Sequence, residues 1–280
     1  MGTSLGVRRM NRPIIAATDF SARADRAVDR AIMLGKELGR DVVLLHAIEF
    51  APARKMDTNA LDKRMRAVLP ETDVPVEFAY PEGSVPAAIA GYAEGNDAAM
   101  IVLGVARYNS VGDFFLGTAV DRVIRGTSKP VVVVKNRPHH AYRKVLVACD
   151  FSQPSREAIG WAAATFPEAE LHLVHAYSVP FEAWNKAEYV AEEIEAEAAQ
   201  RLAALAEGLP EAIGAQAKTH VVRGNLCSAV NQIPDDEGID LVTVGSQGDS
   251  GFRHATIGSQ ASALLENARA DTVLIGPRVA

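Results

Sequence analysis

Short apolar runs alternate along the chain with segments of helical periodicity. The runs at 13–18 and 144–149 have the length of buried strands, and Asp-Phe-Ser follows each of them. The serine of each triplet is a residue type that caps helices, and apolar residues then recur at helical spacing. After the first triplet they are Ala24, Ala27, Val28, Ala31, Ile32, Leu34 and Leu38. Further strands are predicted at 41–49, near 74–80, in AAMIVLG and in PVVVV, with helices between them, which indicates an α/β fold.

The chain carries this pattern twice. RPIIAATDFSARADRA at 12–27 is similar to RKVLVACDFSQPSREA at 143–158, so that Asp19 corresponds to Asp150. In the same way Gly104 corresponds to Gly245, and PVVVV corresponds to DTVLI. Each copy is far longer than a solenoid repeat. We therefore expect two whole domains, 10–137 and 142–280, joined by the polar segment NRPHHAY.

The predicted strands are apolar over nearly their whole length, as in IIAAT, VVLLHAI and VVVV. Such runs are typical of parallel strands in a sheet that helices cover on both faces, joined by right-handed crossovers. Ligands of such sheets bind beyond the carboxyl ends of the strands, where the strand order reverses. The loops after strands one and four would therefore form one site if these two strands are neighbours.

A glycine-rich segment, VGSQGDSGFRHATIGSQA at 244–261, begins at the end of the fourth strand of the second half. Glycine lets a backbone approach phosphate oxygens closely, and the free N–H groups at the start of a helix favour an anion. Gly258 and Ser259 are placed to start such a helix, and the serine hydroxyl adds one donor. The sequence lacks the Walker motif with its lysine, so we expect weak ATPase activity at most and assign no catalytic residue.

At these residues the chain resembles the universal stress protein family in its tandem two-domain form. The shared features are G-x2-G-x9-G-[S/T] after strand four, the Asp-Phe-Ser corners, and the second strands LLHAI and HLVHAY. The resemblance implies two tandem flavodoxin-like (adenine nucleotide alpha hydrolase-like) domains, each with a five-stranded parallel sheet flanked by helices. It also implies ATP, or ADP or AMP, as the ligand. The C-terminal positions assigned to nucleotide contact are Asp150, Ala176, Gly245, Gly248, Gly258, Ser259 and Gln260.

The first half departs from this motif. It reads GVARYNSVGDFFLGT, so that Arg107 stands where the second glycine would be. The arginine side chain would crowd the approach to phosphate, reach a phosphate as a cation, or remain solvated. We therefore expect a weaker or empty N-terminal site. Its corresponding positions are Asp19, Ala47, Gly104, Arg107, Gly117 and Thr118.

The only metal ion predicted is Mg²⁺ bound to the phosphates of the nucleotide. Asp249 follows Gly248, and two interpretations of it stay open: a solvated carboxylate, or a group that helps to hold Mg²⁺ on the phosphates. No Cys, His and Asp residues show the spacing of a protein metal site. His46 and His175, each in a predicted strand, are interpreted as structural.

Composition and charge narrow the classes of function. The formal net charge of −6 argues against broad binding of nucleic acid. Two cysteines, Cys149 and Cys227, suit a reducing compartment and give no disulfide framework. The segment MGTSLGVRRMNRP lacks the apolar core of a signal peptide, and the apolar runs are too short to span a membrane. We expect a cytoplasmic protein without nucleic-acid or membrane partners.

The resemblance implies the function of a stress-response protein and nucleotide-dependent regulator. It also implies that the fifth strands, PVVVV and TVLI, pair within the chain as a pseudo-dimer, and a further homodimer is an open alternative. Two other functions also stay open. One is a nucleotide-free interaction or signalling protein, which Arg107 and Asp249 favour; the other is a true low-rate ATPase or autophosphorylating enzyme.

Overall fold

The computed structural model describes residues 12–49, 58–105, 118–179, 187–233, 237–245 and 257–276. The elements of the N-terminal half are β1 (Ile14–Ala17), α1 (Ala22–Leu38), β2 (Val42–Leu45), α2 (Thr58–Val68), β3 (Val76–Ala79), α3 (Val85–Gly95), β4 (Met100–Gly104), α4 (Thr118–Arg125) and β5 (Val131–Val134). Those of the C-terminal half are β6 (Lys144–Ala148), α5 (Gln153–Thr165), β7 (Glu170–Tyr177), α6 (Ala187–Glu207), α7 (Glu211–Gly214), β8 (Lys218–Arg223), α8 (Leu226–Gln232), β9 (Leu241–Gly245), α9 (Ser259–Asn267) and β10 (Asp271–Ile275).

All of these strands join one sheet, in the order β3-β2-β1-β4-β5-β10-β9-β6-β7-β8. Pairing is parallel within each half, whereas β5 and β10 pair antiparallel, with Val132 opposite Val273. This confirms the predicted α/β class and the pairing of the fifth strands within one chain. Each half has the order 3-2-1-4-5, which is the order of doubly wound dinucleotide-binding sheets. Strands one and four are therefore neighbours, and their carboxyl ends lie side by side.

Helices cover both faces of the sheet. Because successive strand residues point to opposite faces, Ile14 packs with α1 and α2 on one face, while Ile15 packs with α3 and α4 on the other. The helices α5 and α6 continue the first layer, and α8 and α9 continue the second. Within the described ranges, no helix combines the length and apolar composition needed to cross a bilayer.

A buried ionic cluster lies where the two halves meet. The Asp271 carboxylate accepts backbone N–H bonds from Lys135 (2.8 Å) and Asn136 (3.1 Å) and the hydroxyl bond of Tyr142 (2.7 Å). The Arg30 guanidinium, from α1, lies 3.5 Å from the same carboxylate and 3.9 Å from the centre of the Tyr142 ring. The side chains of Arg30 and Asp271 are only 6% and 1% exposed. These five residues form the junction cluster, which ties α1 to β10 through the connecting segment.

Candidate functional site

A cavity of about 530 Å³ lies at the carboxyl ends of β6, β7 and β9. It lies at the reversal of strand order, because the chain runs from β6 outwards to β8 and then returns to β9 on the other side. The structure brings together at this cavity every predicted C-terminal position that it describes: Asp150, Ala176, Gly245, Gly258, Ser259 and Gln260. Gly248 and Asp249 lie outside the described residues.

Asp150 forms the corner between β6 and α5. Its Oδ1 accepts the Ser152 backbone N–H at 3.0 Å and also a short hydrogen bond from the Ser152 hydroxyl. Ser152 in turn caps α5 by accepting the Ser155 backbone N–H. Burial would raise the pKa of Asp150, but the hydrogen bonds from Ser152 outweigh it and hold the pKa below its ordinary value. The carboxylate is therefore ionised at neutral pH and is an acceptor at the cavity wall.

Three stacked side chains, those of His175, Phe151 and Arg201, pack at the turn after β6. Phe151 has a φ of +66°, which is unusual for a residue other than glycine. Its ring lies 4.6 Å from the His175 ring, and the Arg201 guanidinium lies 3.9 Å from its centre. Nδ1 of His175 lies 2.8 Å from the Cys149 carbonyl oxygen, so this nitrogen carries the proton and donates it. These contacts support the structural interpretation of His175 and keep the strained corner in one conformation.

The N-terminal half repeats the same corner. Asp19 accepts the Ser21 backbone N–H at 2.9 Å, and Phe20 has a φ of +62°. The Phe20 ring lies 4.5 Å from the His46 ring and 3.9 Å from the Arg64 guanidinium. Both aspartates thus shape a turn, in agreement with a capping role, and each keeps a second carboxylate oxygen for other contacts.

The glycines that end β4 and β9 have a packing reason of their own. A Cβ at Gly104 would lie 2.8 Å from the Arg23 carbonyl oxygen at the start of α1. A Cβ at Gly245 would lie 3.2 Å from three atoms of Pro154 in α5. Close packing of a strand end on the first turn of a helix therefore favours glycine at both positions, most strongly at Gly104, independently of any ligand. Sequence reasoning assigned this requirement to phosphate alone.

The start of α9 forms another wall of the cavity. The helix begins at Ser259, as predicted, and Gly258 is its N-cap residue. A glycine cap has no side-chain oxygen to accept the first free N–H groups of the helix. Gly258, Ser259 and Gln260 all line the cavity, so these donors and the positive end of the helix dipole lie at its edge. Among the described residues, no side chain caps these N–H groups, so an anion at this point would gain hydrogen bonds from them.

The sequence did not assign several polar groups at the cavity. Ser155 lies in the first turn of α5, Ser178 directly follows β7, and Asn225 lies just beyond β8. The rule that ligands bind beyond strand ends would have found Ser178 and Asn225. Asn225 caps α8 by accepting the Ser228 backbone N–H at 2.9 Å, so part of its side chain is already engaged.

The N-terminal positions are only partly described. Asp19 follows β1, Ala47 follows β2, Gly104 ends β4, and Thr118 begins α4. Because β1 pairs in parallel with β2 and with β4, the carboxyl ends of these three strands lie side by side. Arg107 and Gly117 lie outside the described residues, so the expected crowding by Arg107 stays a prediction.

One group of side chains has metal-binding geometry that the sequence did not predict. Glu170, His172 and Glu237 place one potential ligand atom each within 4.8 Å of one another. The Lys218 ammonium lies 3.1 Å from Glu170 and 2.9 Å from Glu237, and therefore occupies the position that a cation would take. His172 contacts Glu170 through Nε2 (2.7 Å) and the His220 ring through Nδ1 (3.0 Å). This arrangement is an ionic network that joins β7 and β8 to Glu237, which lies between α8 and β9.

Comparison with known proteins agrees with the fold. The sequence model of the universal stress protein family matches residues 10–135 and again residues 141–276, which together are most of the chain. None of the curated proteins matches the chain significantly.

Two solved structures that cover nearly the whole chain show the same fold. A universal stress protein from Archaeoglobus fulgidus is 18% identical over 95% of this chain and 98% of its own, with a TM-score of 0.66. A putative universal stress protein from Pseudomonas aeruginosa is 18% identical over 95% of this chain and 93% of its own, with a TM-score of 0.64. A shorter universal stress protein from A. fulgidus, solved in complex with dAMP, is 22% identical over 45% of this chain and 99% of its own, with a TM-score of 0.35. The chain belongs to the universal stress protein family, in its tandem two-domain form.

Proposed function

We propose that this protein binds an adenine nucleotide, foremost ATP, in the C-terminal cavity and acts as a nucleotide-dependent regulator in a stress response. One observation carries the proposal: the cavity combines an ionised carboxylate, Asp150, with the start of α9, whose N-cap residue is Gly258. The first group suits sugar hydroxyls, and the second suits phosphate. The volume of about 530 Å³ lies within the usual range for small-molecule sites.

In this proposal each wall of the cavity has one task. The free oxygen of Asp150 accepts hydrogen bonds from the ribose. The backbone at Ala176 faces the adenine base, and the N–H groups at Gly258 and Ser259, with the serine hydroxyl, bind phosphate oxygens. Mg²⁺ on the phosphates would add charge compensation. The N-terminal site is proposed to be weaker because Arg107 replaces a glycine of the motif.

Isothermal titration calorimetry with ATP, ADP, AMP and GTP tests the proposal. We expect binding of the adenine nucleotides at one strong site per chain. Asp150→Asn should weaken ATP binding roughly 10- to 100-fold, which corresponds to the loss of charge-assisted hydrogen bonds worth about 1.5–3 kcal/mol. Asp19→Asn is the matched control, because it changes the same turn in the other half, and it should leave the strong site unchanged.

The same protein can be assayed for the alternatives. Absence of heat and of any thermal shift with all four nucleotides would contradict nucleotide binding and favour the nucleotide-free interaction protein. A steady ATP turnover that Asp150→Asn abolishes would instead favour the enzyme. Mass analysis of the nucleotide released from purified, denatured protein identifies the natural ligand. The cytoplasmic location and the homodimer stay predictions, to be tested by cell fractionation and analytical ultracentrifugation.

A further inference from the structure

Helix α9 connects the nucleotide cavity to the N-terminal half of the chain. Its first turn lines the cavity, whereas its last turn receives a lysine from the other half. The Nζ atom of Lys135, directly after β5, donates to the carbonyl oxygens of Ala268 (2.7 Å) and Leu264 (3.2 Å). Lys135 is only 1% exposed. A buried cation of the N-terminal half therefore holds the far end of the helix that carries the phosphate wall.

We propose that Lys135 is a positioning residue for the C-terminal nucleotide cavity. Through it the N-terminal half regulates a site whose described lining comes from the C-terminal half alone. This inference rests on the proposed function of that cavity. It assigns the N-terminal half a role even if its own site is empty.

The chemistry of α9 explains why a lysine from elsewhere matters. The last turn of a helix presents free carbonyl groups and the negative end of the dipole, which a cation stabilises. Helix α9 has no basic residue in its own last turn. The Leu264 carbonyl accepts the Ala268 backbone N–H at 2.9 Å, and Lys135 adds a charged donor to both of these residues. Lys135 thus supplies the charge that the helix sequence lacks, and fixes where α9 begins at the cavity.

In the part of the chain that the structure describes, the C-terminal half makes no equivalent contact to α4. Gly276, directly after β10, occupies the position in the repeat that corresponds to Lys135, and it has no side chain to donate. The equivalent helix of the N-terminal half, α4, carries Arg122 and Arg125 in its own last turn. The described lysine contact is therefore asymmetric: it joins the N-terminal half to the helix of the C-terminal cavity.

The charge of Lys135 is sensitive to mildly alkaline pH. Burial lowers its pKa to about 8, although Asp271 on β10 acts in the opposite direction. Cys227 on α8 also faces it, and burial raises the pKa of that thiol, with Glu266 of α9 acting in the same direction. Arg30 completes the charged surroundings through its pair with Asp271. Above about pH 8 the amine becomes neutral and binds the helix carbonyls less strongly, so nucleotide affinity should fall.

Calorimetric titration of the full chain with ATP tests the inference. Lys135→Met keeps the apolar stem and removes the charge; we expect about tenfold weaker binding, or ~1.4 kcal/mol, as for a partly buried charge at a helix end. The matched control is Asn136→Ala, which removes a 2.7 Å bond to the Arg269 carbonyl, just beyond α9. The affinity of Asn136→Ala for ATP should stay within about twofold of the wild-type value if only bonds to the carbonyl groups of α9 position the cavity.

A pH series separates positioning from a general loss of stability. Between about pH 7.5 and about pH 9 the ATP phosphates are fully ionised, so wild-type affinity should fall as Lys135 loses its proton. Lys135→Met should show no such fall, and Cys227→Ser should keep it. Equal affinity of wild type and Lys135→Met, or an unchanged pH dependence in that variant, overturns the inference. If Lys135→Met does not fold, the Cys227→Ser series decides: a flat profile overturns the inference and a fall near pH 8 supports it. Absence of ATP binding by wild type at any pH refutes the proposed function, and this inference with it.

Discussion

The Asp271 carboxylate of the junction cluster contributes to the free energy of unfolding of the chain. Asp271→Asn keeps the size and shape of the side chain and removes only its charge. In the native protein that charge offsets the buried Arg30 guanidinium and lies close to the buried Lys135 ammonium. After the substitution both cations stay in a region that water does not reach, and the new amide NH₂ group faces the Tyr142 hydroxyl.

The expected cost follows from these contacts. Breaking one partner of a buried ion pair costs about 3–5 kcal/mol, because the other charge remains buried without compensation. The Asn136 and Lys135 backbone N–H groups can still bond to the amide oxygen, so their contribution is weakened but not lost. At about 2–4 °C per kcal/mol for a large domain, the melting temperature should fall by roughly 6–20 °C.

Urea denaturation and thermal melting, both followed by circular dichroism, measure the effect. Asp240→Asn is the matched control: Asp240 also accepts two backbone N–H bonds, at 2.8 and 3.0 Å, and the exposed His140 ring lies 3.8 Å from its carboxylate. Asp240→Asn should lower the free energy of unfolding clearly less than Asp271→Asn does. A double-mutant cycle with Arg30→Met should give a coupling energy of about 1 kcal/mol or more. A loss under about 1 kcal/mol for Asp271→Asn, or no coupling to Arg30, would refute the reasoning, since a desolvated pair cannot be that weak.

Three further predictions concern other parts of the fold. Gly104→Ala should destabilise the protein by about 1–3 kcal/mol in urea melts without nucleotide, and Gly245→Ala by less, because the new Cβ contacts are 2.8 and 3.2 Å; equal stability of both variants and wild type would show that the strand ends can shift freely. Burial lowers the pKa of His172 and of His220, so the unfolded chain binds more protons than the native chain at acidic pH. The two neutral histidines therefore contribute to the free energy of unfolding above about pH 6.5, and this contribution is lost as the pH falls below that value. His220→Gln should make the decline of the melting temperature from about pH 7 to about pH 5 shallower, and an unchanged slope would count against the histidine pair. Treatment of purified protein with EDTA should leave the melting temperature unchanged because Lys218 neutralises Glu170 and Glu237; a clear drop would reveal a metal there.

Much of the fold was predictable because its signals are local. Buried parallel strands leave uninterrupted apolar runs, and capped helices leave a serine followed by apolar residues at helical spacing. Repetition of this pattern predicted two similar halves, and the rule for strand ends placed Asp150 and Gly258 at one edge. The cavity contains both residues, although they are far apart in the sequence.

Other features escaped the sequence because their partners are distant. Lys135 and Asp271 lie 136 positions apart, and His172 and His220 lie 48 apart, so no local pattern links them. The reason for Gly104 was also hidden, since it depends on how closely a strand end packs on the first turn of α1.

The sequence by itself determined the α/β class, the duplication and the binding of a ligand at the carboxyl ends of the strands, because periodicity and strand ends are properties of neighbouring residues. It also indicated that the fifth strands pair, but only the tertiary structure decided which side chains meet where the halves join. The antiparallel pairing of β5 with β10 brings Lys135 to the end of α9 and encloses Asp271 among its partners. Such contacts arise from the three-dimensional packing of segments that are remote in the chain, and a charge buried there has a role that its position in the sequence does not reveal.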